Sequence, residues 1–358
     1  MLRTLLRLTP LVALAGLGCT VDGARVVGPD EWDVVFQTPD QAIEAVVASP
    51  DGALFVATTD SVYRYIPGAG ATFEPLMPGR NAPQVLAAPS RRVLYHMVWS
   101  GGHIVRWQEG VGETPIELPA PEPWMTDHDR PLSWFQLFAL WAARENEAWA
   151  AGRYGVVIHI VNDTGRLERT PMLEFARTAF GTLEIYRADL QYIAGGPDAL
   201  YVGGAEALLR RDAGVWDTLP NPWRRSPGCG ALAMVLQGST QLFGGHTPFP
   251  GPEMPCVVAI TEDHAERLDG ELRGFGQPGI FWGALQPDGS ALFHASAYGR
   301  GEVAVFRGRR GQVLAFPELK WFGGAAIVGR YVYAGGQIGE NAVVIRAPLG
   351  SRYTVPQN

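Results

Sequence analysis

The sequence predicts an all-β fold made of repeats, and three observations carry that expectation. First, the 358 residues include 44 Gly and 28 Pro, so the chain is cut into short pieces by turn-formers. Second, the pieces between these turns are short runs rich in Val, Ile, Leu, Tyr and Trp, with no long helical stripe after the N-terminus. Third, the pieces recur. "LWAARENEAWAAGRYGVVIHI", residues 140–160, has the same order of apolar run, polar turn, small-residue doublet and alternating strand as six other stretches.

With that stretch, whose hairpin starts at Asn146, the copies begin at Gly52, Arg92, Asn146, Asp198, Thr240, Gly289 and Arg330, seven in all and about 40 to 54 residues apart. Each reads as a hairpin with an apolar run before it ("EAVVASP", "FWGALQP") and often a short strand after it ("TFEPL", "VWDTLP"). Four strands at this period form a sheet that cannot bury both faces alone but can do so packed radially. The expectation is a seven-bladed β-propeller of four-stranded antiparallel blades over residues 32–358. Small residues ending the second strand, in "WAAG", "YVGG", "LFGG" and "YAGG", would let blades approach closely. Closure is open between the two ends. "EWDVVFQTP" and "SRYTVPQN" both resemble an outermost strand, and the N-terminal segment is favoured.

The doublets followed by an alternating strand resemble kelch repeats. The 140–160 stretch is similar to tryptophan-containing propeller repeats of bacterial secreted proteins and lipoproteins. That resemblance implies a fold and says little of function, since propellers carry many activities.

Residues 1–18 read as an export signal: Arg3 and Arg7, then an apolar stretch from Leu8 to Leu17. The Gly18-Cys19 junction resembles a bacterial lipoprotein signal, which implies lipid on Cys19, and Thr20 after it implies sorting to the outer membrane. Gly16 stands where that family prefers an aliphatic residue, and Ala13-Leu14-Ala15 offers a competing cleavage site that would leave a soluble secreted protein. Residues 19–31 read as a tether that would reach roughly 45 Å fully stretched.

The net charge is −7. Loss of residues 1–18 removes two arginines and no carboxylate, which makes it −9. An acidic chain with one lysine, Lys320, and no basic run argues against nucleic acid as a partner. No Walker loop, G-x-S-x-G, C-x-x-C or H-E-x-x-H occurs, so neither a cofactor nor a metal is expected.

Propeller connections divide by face. Those joining first to second and third to fourth strands are short here: "SPDG", "QPDG", "NDTG", "RDAG". Every long insertion falls on the opposite face: Pro119–Phe135, Pro171–Asp189, Pro220–Gly228, His246–Pro255 and Asp269–Gly279. Loops on a rigid scaffold carry function, so this face is the expected binding surface. Its candidate residues are Trp124, Asp127, His128, Asp129 and Arg130 in "WMTDHDRP", with His246 and Glu253 in "HTPFPGPEMPC". Trp134 and Trp223 lie in or beside the same loops, whereas Trp107, Trp141, Trp149 and Trp216 fit packing positions in strands.

Two functions compete. One is an envelope-anchored binding or scaffolding module for a protein or carbohydrate, and no enzyme. The other is a secreted glycoside hydrolase or lyase with carboxylates converging from separate blades. If Cys19 takes lipid, Cys229 and Cys256 are the remaining thiols in an oxidising compartment, and a disulfide between them is expected. Both would sit at the long-loop end of one blade, on strands two spacings apart, so both are expected in loops.

Overall fold

The computed structural model describes residues 20–21, 24–39, 41–68, 72–78, 84–97, 102–122, 135–171, 174–179, 182–196, 199–204, 207–220, 229–246, 255–261, 264–272, 275, 280, 282–294 and 301–350. They form seven four-stranded antiparallel blades in a ring.

Blade 1 is Ile43–Ala48, Leu54–Thr58, Ser61–Tyr65 and Glu74–Pro78, from the axis outward. Blade 2 is Val85–Ser90, Val93–Met97, Ile104–Gln108 and Gly112–Pro115, and blade 3 is Leu137–Arg144, Glu147–Gly152, Val157–Val161 and Thr164–Leu167. Blade 4 is Tyr192–Gly195, Leu200–Gly203, Leu208–Asp212 and Val215–Leu219. Blade 5 is Gly230–Gln237, Thr240–His246, Pro255–Ile260 and Ala265–Arg267. Blade 6 is Trp282–Leu285, Ala291–His294, Gly301–Arg307 and Arg310–Phe316.

Blade 7 takes three strands from the C-terminal region, Lys320–Val328, Tyr331–Ile338 and Asn341–Pro348. Its outermost strand is Asp33–Pro39 from the other end of the chain, with Asp33 opposite Arg346 and Pro39 opposite Asn341. The N-terminal segment therefore closes the ring. The rival segment at 351–358 lies outside the described residues.

Strand alternation explains why a blade needs two neighbours. In Leu54–Thr58 every residue is buried. Leu54 and Val56 pack towards blade 7, beside Tyr333 and Val344, while Phe55 and Ala57 pack towards blade 2, beside Leu86 and Leu94. Seven such apolar clusters each straddle one interface between blades. A buried Phe or Leu contributes about 1.5–3 kcal/mol, and the ring spreads that burial around its circumference instead of into one centre. The doublet glycines divide by role. A Cβ on Gly244 would meet Ile280 at 2.7 Å and one on Gly335 would meet Ile43 at 2.6 Å, both across an interface. On Gly152 and Gly204 it would instead meet the carbonyl oxygens of Gln136 and Asp189, each 2.1 Å away, so these two admit backbone rather than a neighbouring blade's side chains.

Two features depart from the sequence expectation. Residues 24–31 are not a free tether. Ala24–Val26 adds in parallel to the outer strand of blade 6, Val27 is fully buried, and Arg25 pairs with Glu31 and donates to the Pro348 carbonyl at 2.8 Å. The insertion after blade 3 also contains a hairpin of its own, Glu174–Ala179 with Thr182–Arg187.

Candidate functional site

The two faces of the ring are built differently. On the short-loop face, turns of neighbouring blades are hydrogen-bonded to each other. Asp51 accepts from the Arg91 backbone N–H at 2.7 Å, which joins blades 1 and 2, and the Ser90 hydroxyl donates to Glu145 at 2.6 Å, which joins blades 2 and 3. Gln237 donates to the Gly289 carbonyl at 2.7 Å between blades 5 and 6, and Gln286 accepts from the Ile327 N–H at 2.7 Å between blades 6 and 7. The "SPDG" and "QPDG" turns are thus structural latches. Gly52 at φ +85° and Gly289 at φ +78° supply the left-handed corner, and Ser49 and Asp288 bond the turn to itself.

The long-loop face has more to offer a ligand. Between blades 3 and 4 it opens into a cleft of about 390 Å³, lined among others by Glu122, Tyr154, Glu168, Arg169, Thr170 and Arg187. Tyr154 has a left-handed backbone, φ +59°, held by its N–H donating to Asp189 at 3.2 Å, while the preceding Arg153 donates to Gln136. Non-glycine residues in that region cost free energy and concentrate at functional sites.

Glu168 is consumed by structure. It accepts from the Trp216 indole N–H at 3.1 Å and lies 3.4 Å from Arg211 and 3.7 Å from His159. His159 bonds Glu147 at 2.9 Å and stacks on Trp149 at 3.7 Å. These residues tie blade 3 to blade 4. Trp107, Trp149 and Trp216 are buried, and Trp141 packs against the same interface as Trp149.

At the axis, the first residues of the inner strands gather on the same face. Trp282, which opens blade 6, packs across the ring against the apolar cluster shared by blades 2 and 3, so an indole occupies the channel. Glu44, second residue of blade 1, is half-buried; burial raises its pKa, and a hydrogen bond from Gln84 only partly opposes this. Trp321 is 49% exposed and left-handed at φ +48°, in a bulge where the register slips between Lys320 and Gly324. Gly323, in that bulge, lies against the backbone of Ile43. The sequence reading singled out none of Glu44, Trp282 or Trp321. The signal available for them was position, since each stands at the start of an inner strand.

Of the residues expected to bind, Trp124, Asp127, His128, Asp129, Arg130 and Glu253 lie outside the described residues, as do Trp134, Trp223 and Cys19. His246 ends the second strand of blade 5 on the long-loop face, opposite Gly230 and Pro255. Among the described residues no three His, Cys, Asp or Glu are grouped to hold a metal.

Beside His246 stands the disulfide Cys229–Cys256, with Cα atoms 5.8 Å apart. Its setting differs from expectation in one respect. Cys229 precedes its strand, but Cys256 lies within one, paired with Gly245. Cys229 stands outside the sheet, one residue before Gly230 opens the first strand, so it is not held two strand spacings from Cys256.

No protein-family model and no curated protein sequence matches this chain. Solved structures do. The chain is similar to the RRP9 WD40 repeats, at 14% identity and TM-score 0.57 over 92% of this chain and 99% of that one. It is also similar to virginiamycin B lyase from Staphylococcus aureus, solved as an inactive variant with quinupristin, at 10% identity and TM-score 0.59 over 89% and 100%. A third likeness is YCF48 from Cyanidioschyzon merolae, at 12% identity and TM-score 0.55 over 89% and 98%. The shared property is the fold. It is a β-propeller. At such identities the three likenesses establish nothing of this chain's ligand or chemistry.

Proposed function

We propose that this chain is an exported, lipid-anchored β-propeller that acts as a binding or scaffolding module through its long-loop face. One observation carries the reading: the short-loop face spends its polar groups on blade-to-blade latches, while the long-loop face holds the insertions, the extra hairpin, the cleft beside Tyr154 and the exposed Trp321. The anchor rests on the Arg3 to Cys19 pattern, and the kelch-like, lipoprotein-type resemblance of the repeats agrees with it. A disulfide suits an oxidising compartment.

The rival reading, a glycan hydrolase or lyase, has less support. Trp282 occupies the axis where carboxylates from several blades would converge, and Glu168 in the cleft is bonded to Trp216 and Arg211. Fractionation of cells that express the wild type and Cys19→Ser tests the anchor. The wild type should sediment with membranes and the variant should not. A soluble wild type whose mature N-terminus is Gly16 would contradict it. Photo-crosslinking from each face tests the binding surface.

A further inference from the structure

The chain just after Cys19 is stitched to the ring without slack. Thr20 stands opposite Arg25 and Val21 opposite Ala24, and Arg25 stands opposite Leu314 on the outer strand of blade 6. Thr20–Val21 is thus two interstrand spacings from that strand, about 10 Å. The docking is held at its other end too. Val27 is fully buried in the apolar cluster between blades 6 and 7, and its N–H donates to the Ala315 carbonyl at 2.9 Å. Arg25 donates to the Pro348 carbonyl of blade 7 at 2.8 Å.

The pairing also fixes a direction. Ala24–Val26 runs parallel to Arg310–Phe316, which starts at a short-loop turn and ends on the long-loop side. Thr20–Val21 runs antiparallel to Ala24–Val26, so its N-terminal end points to the long-loop side. Cys19 is joined to Thr20 by one peptide unit, about 3.8 Å between α-carbons. A lipid on Cys19 therefore leaves from the outer rim of blade 6, at its long-loop corner.

This deepens the lipid anchor proposed above and rests on it. We propose that the bilayer lies against the outer rim of blade 6, so that the ring stands on its edge with the long-loop corner of that blade lowest. Acyl chains reach the hydrocarbon only when the residue that carries them is at the headgroup level, and a docked N-terminus takes blade 6 there with it. Headgroup attraction is not what sets the orientation. Arg310 opens the outer strand and Glu318 follows its other end, both exposed and of opposite charge. The cleft between blades 3 and 4 lies across the ring from the bilayer, open to a soluble partner.

The full mature chain tests this in vesicles of phosphatidylethanolamine and phosphatidylglycerol that carry a nitroxide on a phosphatidylcholine headgroup. Bimane is attached at Glu318→Cys, Arg310→Cys or Arg166→Cys, one per protein. All three positions are exposed, the first two at the ends of the outer strand of blade 6 and the third on the outer strand of blade 3. Quenching should be strongest at Glu318→Cys, weaker at Arg310→Cys and lost at Arg166→Cys. Insertion of about fifteen Gly and Ser residues between Cys19 and Thr20 keeps the lipid and supplies a flexible tether of roughly 20 Å. The contrast between positions should then disappear.

Equal quenching at all three positions of a lipidated chain, or the strongest at Arg166→Cys, would overturn the orientation and leave the anchor standing. A contrast that survives the insertion would overturn the docked N-terminus as its cause. A mature chain without acyl mass that fails to float with the vesicles removes the anchor, and the orientation with it.

Discussion

Trp141 of blade 3 lies against the α-carbon of Gly195 in blade 4, so close that a methyl group on Gly195 would sit 2.1 Å from the indole. The indole is large, stiff and wedged between blades, and cannot yield as a flexible side chain would. Gly195→Ala should therefore destabilise the chain by about 1–3 kcal/mol, the usual cost of overpacking. Gly196→Ala is the control. The nearest contact to its added methyl is Leu236 at 3.6 Å, an ordinary distance. Urea denaturation of both variants checks the contrast, and equal midpoints would contradict it.

Ring closure depends on Asp33–Pro39, with Arg346 and Asp33 paired at 2.6 Å across the seam. Deletion of residues 24–39 should leave blade 7 with a bare edge and broaden thermal unfolding. The complementary deletion, residues 324–358, should remove that blade. Either truncation folding cooperatively as a soluble monomer would contradict closure by the two ends.

The disulfide closes a 27-residue separation across the insertion at 247–254. Chain entropy gives about 3.5 kcal/mol for a loop of that length. Cys229→Ser with Cys256→Ser should lower stability by up to that amount, and the denatured, unreduced wild type should titrate no thiol from this pair.

Glu44 gives a pH dependence opposite to that of an ion-paired carboxylate. Burial raises its pKa in the fold, more than the Gln84 hydrogen bond lowers it. The folded state then holds a proton that the unfolded state has released. Stability from this group is present below the ordinary carboxylate pKa and is lost as pH rises through the raised one. Glu44→Gln should therefore be more stable than wild type at neutral pH, with the difference vanishing below about pH 4. A variant less stable at neutral pH would contradict this and place a counter-charge beside Glu44.

Much of the fold was legible because the local signals agree. "SPDG" at 49–52 and "QPDG" at 286–289 mark turns whose glycines have positive φ, and alternation within "LFVAT" feeds two clusters at once. The site was less legible. Glu44 reads as one polar residue in an apolar run, and only ring closure sets its strand against the bulge that carries Trp321, with Gly323 on Ile43. Trp282 looked like any strand-opening aromatic, and its crossing of the axis depends on the radius of the ring. Docking of residues 24–27 on blade 6 was hidden for a similar reason, because a parallel pairing leaves no turn signal between its partners.

The most direct measurement is photo-crosslinking in the living cell from four single positions. Two lie on the long-loop face, Glu122 and Arg169 at the cleft, and two lie in short-loop turns, Ser239 and Arg309. The account predicts discrete adducts from Glu122 and Arg169 and none from Ser239 or Arg309. Adducts confined to Ser239 and Arg309, or formed equally from all four, would contradict the long-loop face as the binding surface.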